Sequence, residues 1–437
     1  MGAGCLSLPH MFRQSGLGLG LLLLACGAAL AHVGLVVLMS CARYTECKSF
    51  AELVSASAAS GAGEGSGRSP VVDAVIALYG LAAVLIYMML IGDFFGGIVQ
   101  SAAFGNNDTS RQTLILSSLL VVLPLSVPKS VTALRYISIV STASIAFMTA
   151  VVMIKTPSLL TEARASGHTI QWFRGDACTT LQSFSIALFS FNAHTNAVPV
   201  ATALDHPRPS VIWQVSLTSV IIEIAFYSLI AACGYLSFLD ETEQDFIRNY
   251  SHDDGVMLAV RCVYAVPVVL GVPINLSPAV ASMKALAKSS ALATYLPSLA
   301  AVTTGSSQQA TRQDGGGSSG GLGARDRNAS SSSLAPGGGG GLLGMARHVA
   351  IIVTVLGVCT AVAVWCEAIA DVIALFGSCF GTLICLVWPR KIYHLIFGRL
   401  HSKSIGVPVG LVLFLATLVG VLAFALQAFE FARRIRS

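Results

Sequence analysis

Two stretches decide the reading: residues 1–9, Met1-Gly2-Ala3-Gly4-Cys5-Leu6-Ser7-Leu8-Pro9, and residues 184–199, Phe184-Ser185-Ile186-Ala187-Leu188-Phe189-Ser190-Phe191-Asn192-Ala193-His194-Thr195-Asn196-Ala197-Val198-Pro199. Each is apolar and each is interrupted. Gly2-Ala3-Gly4 leaves the backbone free to unwind, and Pro9 closes a short turn that heads into Gln14-Ser15-Gly16. In the second stretch Ser190, Asn192, His194, Thr195 and Asn196 crowd together before Pro199 starts a new apolar turn. A lone histidine in such a setting is usually a packing residue, but five polar side chains so close need water, partners or a ligand.

The rest of the chain says what surrounds these breaks. Of 437 residues, 54% are hydrophobic and 11% charged, where soluble domains carry about 25% charged. Mean hydropathy is +0.76. So little charge cannot cover the surface of a soluble protein this long. Apolar runs near the roughly 20 residues needed to cross a bilayer fall at 17–41, 71–99, 113–127, 131–154, 180–203, 210–239, 255–280, 346–366, 369–388 and 405–429. With the fragment at 2–14, the sequence predicts ten full spans and one partial. The ten-residue alternating segments of a membrane barrel are absent. The expected fold is an all-α polytopic membrane protein.

Inside a bilayer, backbone leaves the helix only where it lines a protected cavity, because an unpaired amide in hydrocarbon costs several kcal/mol. Interruptions at matching places in two halves of a chain point to the binding site of a transporter. Here they lie five spans apart, as two five-helix repeats each opening on a broken helix require. No internal sequence repeat is visible.

Other signals are quieter. Arg13, the run from Leu17 and Ala29-Leu30-Ala31 imitate a cleaved secretory signal, but the apolar run continues to Met39. Myristoylation needs Ser or Thr where this chain has Leu6. The 11 cysteines form no Cys-x-x-Cys pair and read as small hydrophobes; Cys178 and Cys366 are the one weakly supported disulfide. No metal site is expected. With a cytosolic N-terminus, sixteen of the 26 basic residues fall in cytosolic segments and nine outside, with Arg261 in a span; the bias has the positive-inside sign. The acidic loop Asp240 to Asp254 falls outside, as do the glycosylation candidates Asn107 and Asn249. A third sequon at Asn328, on the cytosolic side, and the basic tail Arg433 to Arg436, outside, fit this topology poorly. Residues 304–344 are Gly/Ser-rich and read as a cytosolic linker without a core, dividing the chain into 1–303 and 345–437. Ser55 to Ser69 reads as a smaller linker.

At this point the chain resembles a known family. The amino acid/auxin permeases, in particular the sodium-coupled neutral amino acid transporters, open their first helix with a Gly-x-Gly-x-Leu-x-Leu-Pro pattern, as in Gly2 to Pro9 here. Similar strings follow in order: Leu123-Pro124-Leu125-Ser126, Leu134-Arg135-Tyr136-Ile137-Ser138, Phe189-Ser190-Phe191 with His194 and Pro199, Val266-Pro267-Val268-Val269, and Gly377-Ser378 with Thr382-Leu383-Ile384. The resemblance implies a five-plus-five inverted repeat (LeuT-type, within the APC superfamily) with an eleventh helix, embedded in a lipid bilayer of the plasma membrane or an acidic organelle. It implies ion-coupled symport of an amino acid, neutral by preference, or an amino acid sensor of the same fold. Family members carry a half-helix before the first Gly. Fourteen residues precede Ser15 and reach only about 21 Å as a helix, so the first helix is expected to be truncated, by omission or start-site misassignment.

The chemistry suits this. Neither end of a free amino acid tolerates an unpaired dry site. The helix start after Gly2, Ala3 and Gly4 offers free N–H groups to a carboxylate, and backbone released around Phe189, Ser190 and Asn192, with His194 nearby, offers oxygen to an ammonium. Three groups are candidate ion carriers: Glu223 in mid-span seven, Asp93 in span three, and His194. A charged carboxylate at that depth costs about 2.5–3.5 kcal/mol on insertion scales, so each is expected to be protonated or paired. Arg261 is expected to pair with an acid or, more simply, snorkel to the outer surface. Sodium-coupled relatives use a hydroxyl two residues before the eighth-span proline; that position is Ala265, which favours protons over sodium. No cofactor and no nucleic-acid partner is expected, and no catalytic constellation is legible.

Overall fold

The computed structural model describes residues 3–59, 70–101, 110–128, 134–204, 208–288, 342–366, 368–397 and 403–436. Gly2, Asn107, Asn328 and nearly all of the 304–344 linker lie outside these residues. Each apolar run folds into helix, and no strand occurs among the described residues. A 3₁₀ turn at Ala3–Ser7 leads into α1 (Leu8–Ser15) and α2 (Leu17–Thr45). Then come α3 (Phe50–Ala59), α4 (Pro70–Ser101), α5 (Arg111–Ser126) and α6 (Leu134–Ala165). The broken span supplies α7 (Ala177–Ser190) and α8 (Ala197–Ala203), followed by α9 (Pro209–Phe238) and α10 (Gly255–Lys288). Beyond the linker, α11 (Leu342–Trp365) precedes α12 (Ile369–Phe376), which widens into a π-helix at Gly377–Val387 before α13 (Trp388–Phe397) and α14 (Lys403–Arg436).

Eight of these passes are long and apolar enough to cross a membrane, against ten full spans expected from sequence. Residues 113–127 fall short: α5 has 16 residues with Pro124 inside it, about 24 Å of helix against a hydrocarbon core of about 30 Å. Residues 180–203 are divided into α7 and α8, so neither piece qualifies alone. Conversely, the helix expected at 131–154 extends to Ala165, where charged residues continue it past the apolar segment. The stretch from Ser55 read as a linker belongs in part to α3, whose Phe50, Leu53 and Val54 are buried and whose Phe50 ring packs 5.2 Å from Trp388 of α13.

With lipid on one side and protein on the other, helices gain by close packing of small residues rather than by burying apolar area from water. The α4–α10 contact is the most extensive in the bundle, and a Cβ on Gly80 would lie 2.6 Å from that of Ala279. Gly34 of α2 fits so tightly that a Cβ would sit 2.5 Å from His194 Nε2 and 2.8 Å from the Cys385 carbonyl. Between α1 and α2 the chain turns at Gly16, φ +82°. Residues 171–174 brace this turn: Leu17 N–H donates to Gln171 O at 2.8 Å, Gly18 N–H to Trp172 O at 2.8 Å, and Arg174 N–H to Ser15 O at 2.9 Å.

At Gly16 a side chain would be strained by the positive φ and would meet the Trp172 carbonyl at 2.8 Å. Gly16→Ala is therefore expected to destabilise the fold by about 1–3 kcal/mol and lower the melting midpoint in detergent. Gly357→Ala, on a helical surface with nothing within 4 Å, should leave the midpoint unchanged or raise it.

Candidate functional site

The two interruptions meet. α7 starts on a capping box in which Thr179 N–H donates to Asp176 Oδ1 at 2.9 Å and Asp176 N–H to Thr179 Oγ1 at 2.9 Å. It ends at Ser190, after which turn bonds replace the helical ladder: Asn192 N–H to Phe189 O at 3.0 Å and Ala193 N–H to Phe191 O at 2.9 Å. A single 3₁₀ turn at His194–Asn196 follows, and α8 takes Pro199 into its first turn, where its missing N–H does no harm. Gly4, in the turn that leads to α1, lies directly against Ser190. A Cβ on Gly4 would sit 2.6 Å from Ser190 Oγ and 2.9 Å from its Cα. Ser190 Oγ turns back to Ile186 O at 2.9 Å, and its carbonyl accepts from Tyr227 Oη of α9 at 3.3 Å.

Beneath this contact lies a cavity of about 710 Å³, within the usual range of about 300–1,000 Å³ for ligand sites. Gly4, Phe189, Ser190 and Asn192 form its roof. Its walls carry Tyr79 and Tyr87 of α4, Ser138, Ser141 and Thr142 of α6, Glu223 of α9, and Tyr264 and Asn275 of α10. Glu223 is the one charged side chain among the described lining residues. The lining comes from the N-terminal halves of α4 and α6 and extends to Ala203 and Pro278. Because successive passes alternate in direction, these positions share one face, here called the open face.

The opposite face is closed by residues 239–254. This loop is built inward: Leu239, Thr242, Phe246, Ile247 and Tyr250 are all buried, and its 3₁₀ turn at Phe246–Asn249 touches the Ala3–Ser7 turn. Arg13 Nη1 donates to Thr242 O at 3.0 Å, and His10 Nδ1 lies 3.4 Å from the same oxygen. Ion pairs of Arg174 with Asp240 and Lys155 with Asp254 hold its two ends to α6 and its following loop. Exposed pairs of this kind contribute under about 1 kcal/mol each, so the apolar layer and buried hydrogen bonds hold the plug.

Arg261 is the largest of these buried groups. It is 1% exposed, and donates to Ile247 O at 3.2 Å, Tyr250 O at 2.8 Å and Ser251 O at 3.4 Å. The snorkelling expected from sequence does not occur; the guanidinium clamps the plug from beneath instead. Other expected residues scatter. Ala3 begins the first turn, and Gly4, Phe189, Ser190, Asn192 and Glu223 line the cavity. His194 does not line it: fully buried, it faces α2, with Nδ1 3.1 Å from Cys385 Sγ. Asp93 also lies away from the cavity, its Oδ1 accepting from Arg111 Nε at 2.7 Å. Asn249 of the second sequon spends its side chain on the plug, accepting from Glu243 N–H at 2.8 Å and donating to Glu241 O at 2.8 Å. The Cys178–Cys366 disulfide is not formed; none of the 11 cysteines is in a disulfide, and Cys178 Sγ donates to Glu430 Oε1 at 3.2 Å.

Sequence reasoning missed Tyr79, Tyr87 and Asn275. Pro267, Pro273 and Pro278 within α10 were the available signal, since three prolines in one pass mark a helix that must expose carbonyls.

Residues 1–428 match the family described as transmembrane amino acid transporter protein. The chain belongs to that family. It is 31% identical over 296 residues to the Toxoplasma gondii protein described as "Putative amino acid transporter AAT1", covering 67% of this chain and 39% of that one. It is 26% identical to sodium-coupled neutral amino acid transporter 7 of Danio rerio, covering 63% of this chain and 59% of the relative. The human protein of the same name is 24% identical, with the same 63% and 59%. The chain thus spans less than two thirds of the length of these relatives. The family is one of transporters, not of enzymes.

The roof and plug predict a reactivity order. In Thr142→Cys, the new thiol should react with N-ethylmaleimide from the open face at least tenfold faster than Cys5, which is fully buried beneath the plug. Peptide mass spectrometry of the folded protein measures both rates. Comparable rates would show that the plug does not cover the roof.

Proposed function

We propose that this chain carries an amino acid across a membrane by alternating access, in the five-plus-five arrangement of its resemblance, with the open face on the cytosolic side. One observation carries the reading: two interrupted helices touch backbone to backbone at Gly4 and Ser190, at the roof of a cavity lined toward one face and plugged on the other. The substrate carboxylate would take the N–H groups of the turn at Gly4, and its ammonium the oxygens near Ser190 and Asn192. Neutral side chains fit a wall of tyrosines and small hydroxyls. Protons are favoured over sodium as the driving ion, because Ala265 brings no side-chain oxygen while Glu223 stands in the cavity wall. Asp93 and His194, away from the cavity, are the weaker carriers. The Danio rerio and human relatives are named sodium-coupled, whereas the Toxoplasma gondii relative's name gives no ion, and imposed gradients decide the matter here.

In proteoliposomes, uptake of a labelled amino acid panel is expected to follow an imposed proton gradient and to be lost in Glu223→Gln. Gly4→Leu should abolish uptake while reaching the membrane normally. Normal uptake by Gly4→Leu would refute the site, and uptake that follows sodium but ignores pH would refute the coupling. Saturable binding without counterflow would favour a sensor.

A further inference from the structure

One buried acid remains outside everything described so far. Asp245 sits in the plug, 2% exposed. Its Oδ1 accepts from Ile247 N–H at 3.2 Å, and its Oδ2 is buried with no hydrogen-bond partner. An ionised carboxylate left this way is costly, because a charge removed from water needs pairing or several donors. The nearby Arg261 guanidinium attracts it across the plug but spends hydrogen bonds on three plug carbonyls, and Asp245 Oδ2 stays without a donor. From α4 the plug meets a second acid, Asp93, itself held by Arg111 of α5. From beneath it meets Cys5, whose thiol is tied to Tyr264 at 3.2 Å. Within the plug, Glu243 and Arg248 complete the charged surroundings.

We propose that the plug contains a proton-binding site at Asp245, and that a proton bound there holds the plug shut over the roof of the cavity. A protonated carboxyl removes a buried charge that lacks donors and gives its buried oxygen a hydrogen to donate. When the plug lifts, Asp245 meets water and the proton is released. The site stands on the plug's own geometry, whichever solute crosses and whichever ion drives it.

The pH dependence has a definite sign. Burial first, and then the charge of Asp93, push the Asp245 carboxyl from its ordinary 3.8 up to about 8. In the open plug the ordinary value returns, so the closed plug binds the proton more tightly. Closure is therefore strongest below about pH 4, weakens by at most about tenfold per pH unit as pH rises, and levels off above about pH 8.

Hydrogen exchange of residues 239–254 in the intact, reconstituted protein tests this without any transport assay. After correction for intrinsic exchange, wild-type protection should fall by up to about tenfold per unit between pH 5.5 and 8 and then flatten. Asp245→Asn, nearly the same in shape but unable to ionise, should show flat protection across that range, with exchange elsewhere in the bundle unchanged. Asp93→Asn, which removes the neighbouring acid, should keep the slope and move the flattening to lower pH. A slope that survives in Asp245→Asn, no slope in wild type, or a flattening point unmoved by Asp93→Asn would overturn the assignment.

Discussion

Hydrocarbon offers nothing to a bare amide, and the structure turns on how that constraint is met where Gly4 approaches Ser190. Both chains leave the helix at this point. Unpaired groups here would cost several kcal/mol each, so the breaks survive only because each is covered. Ser190 O takes the Tyr227 hydroxyl, Phe189 O takes Asn192 N–H, and the plug covers the Ala3–Ser7 turn from the other side. The cavity is the space that remains when two unwound segments are held together without being buried in lipid.

Much of this was legible in the amino-acid order. Periodicity was not needed, since apolar run length located the passes and glycine or proline located the breaks. Where the sequence misled, a physical reason is visible. Of the five polar residues near position 190 that suggested one shared cavity, Ser190, Asn192, Thr195 and Asn196 do line it, and His194 is turned away toward Cys385 and α2. A single arginine in an apolar pass suggested snorkelling, and the position of the loop that it clamps lies ten or more residues away in sequence. The pattern of Phe246, Ile247 and Tyr250 between acids reads as an ordinary exterior loop, and only tertiary contact shows that it is packed inward. Helix α3 was missed because short helices in connecting segments carry no length signal.

The closed and open faces are stabilised by different physics. On the plugged face, buried hydrogen bonds from Arg261 and an apolar layer dominate, with surface ion pairs as minor additions. Around the cavity, by contrast, helix contacts rely on small residues that admit close backbone approach, such as Gly80 against Ala279. Loosening the first should alter access, whereas loosening the second should alter the shape of the cavity itself.

The π-helical stretch Gly377–Val387 carries a further consequence. Its 11 residues are coiled more widely than in an α-helix, so they occupy less axial length than 1.5 Å per residue would give. It is slack held in reserve. Rewinding any part of it to α pitch would lengthen the segment, thrust α13 along its own axis and rotate Cys385 away from Asn192 and His194. A movement of one end of this pass could then be taken up within the pass, without breaking a covalent or capped junction at either end.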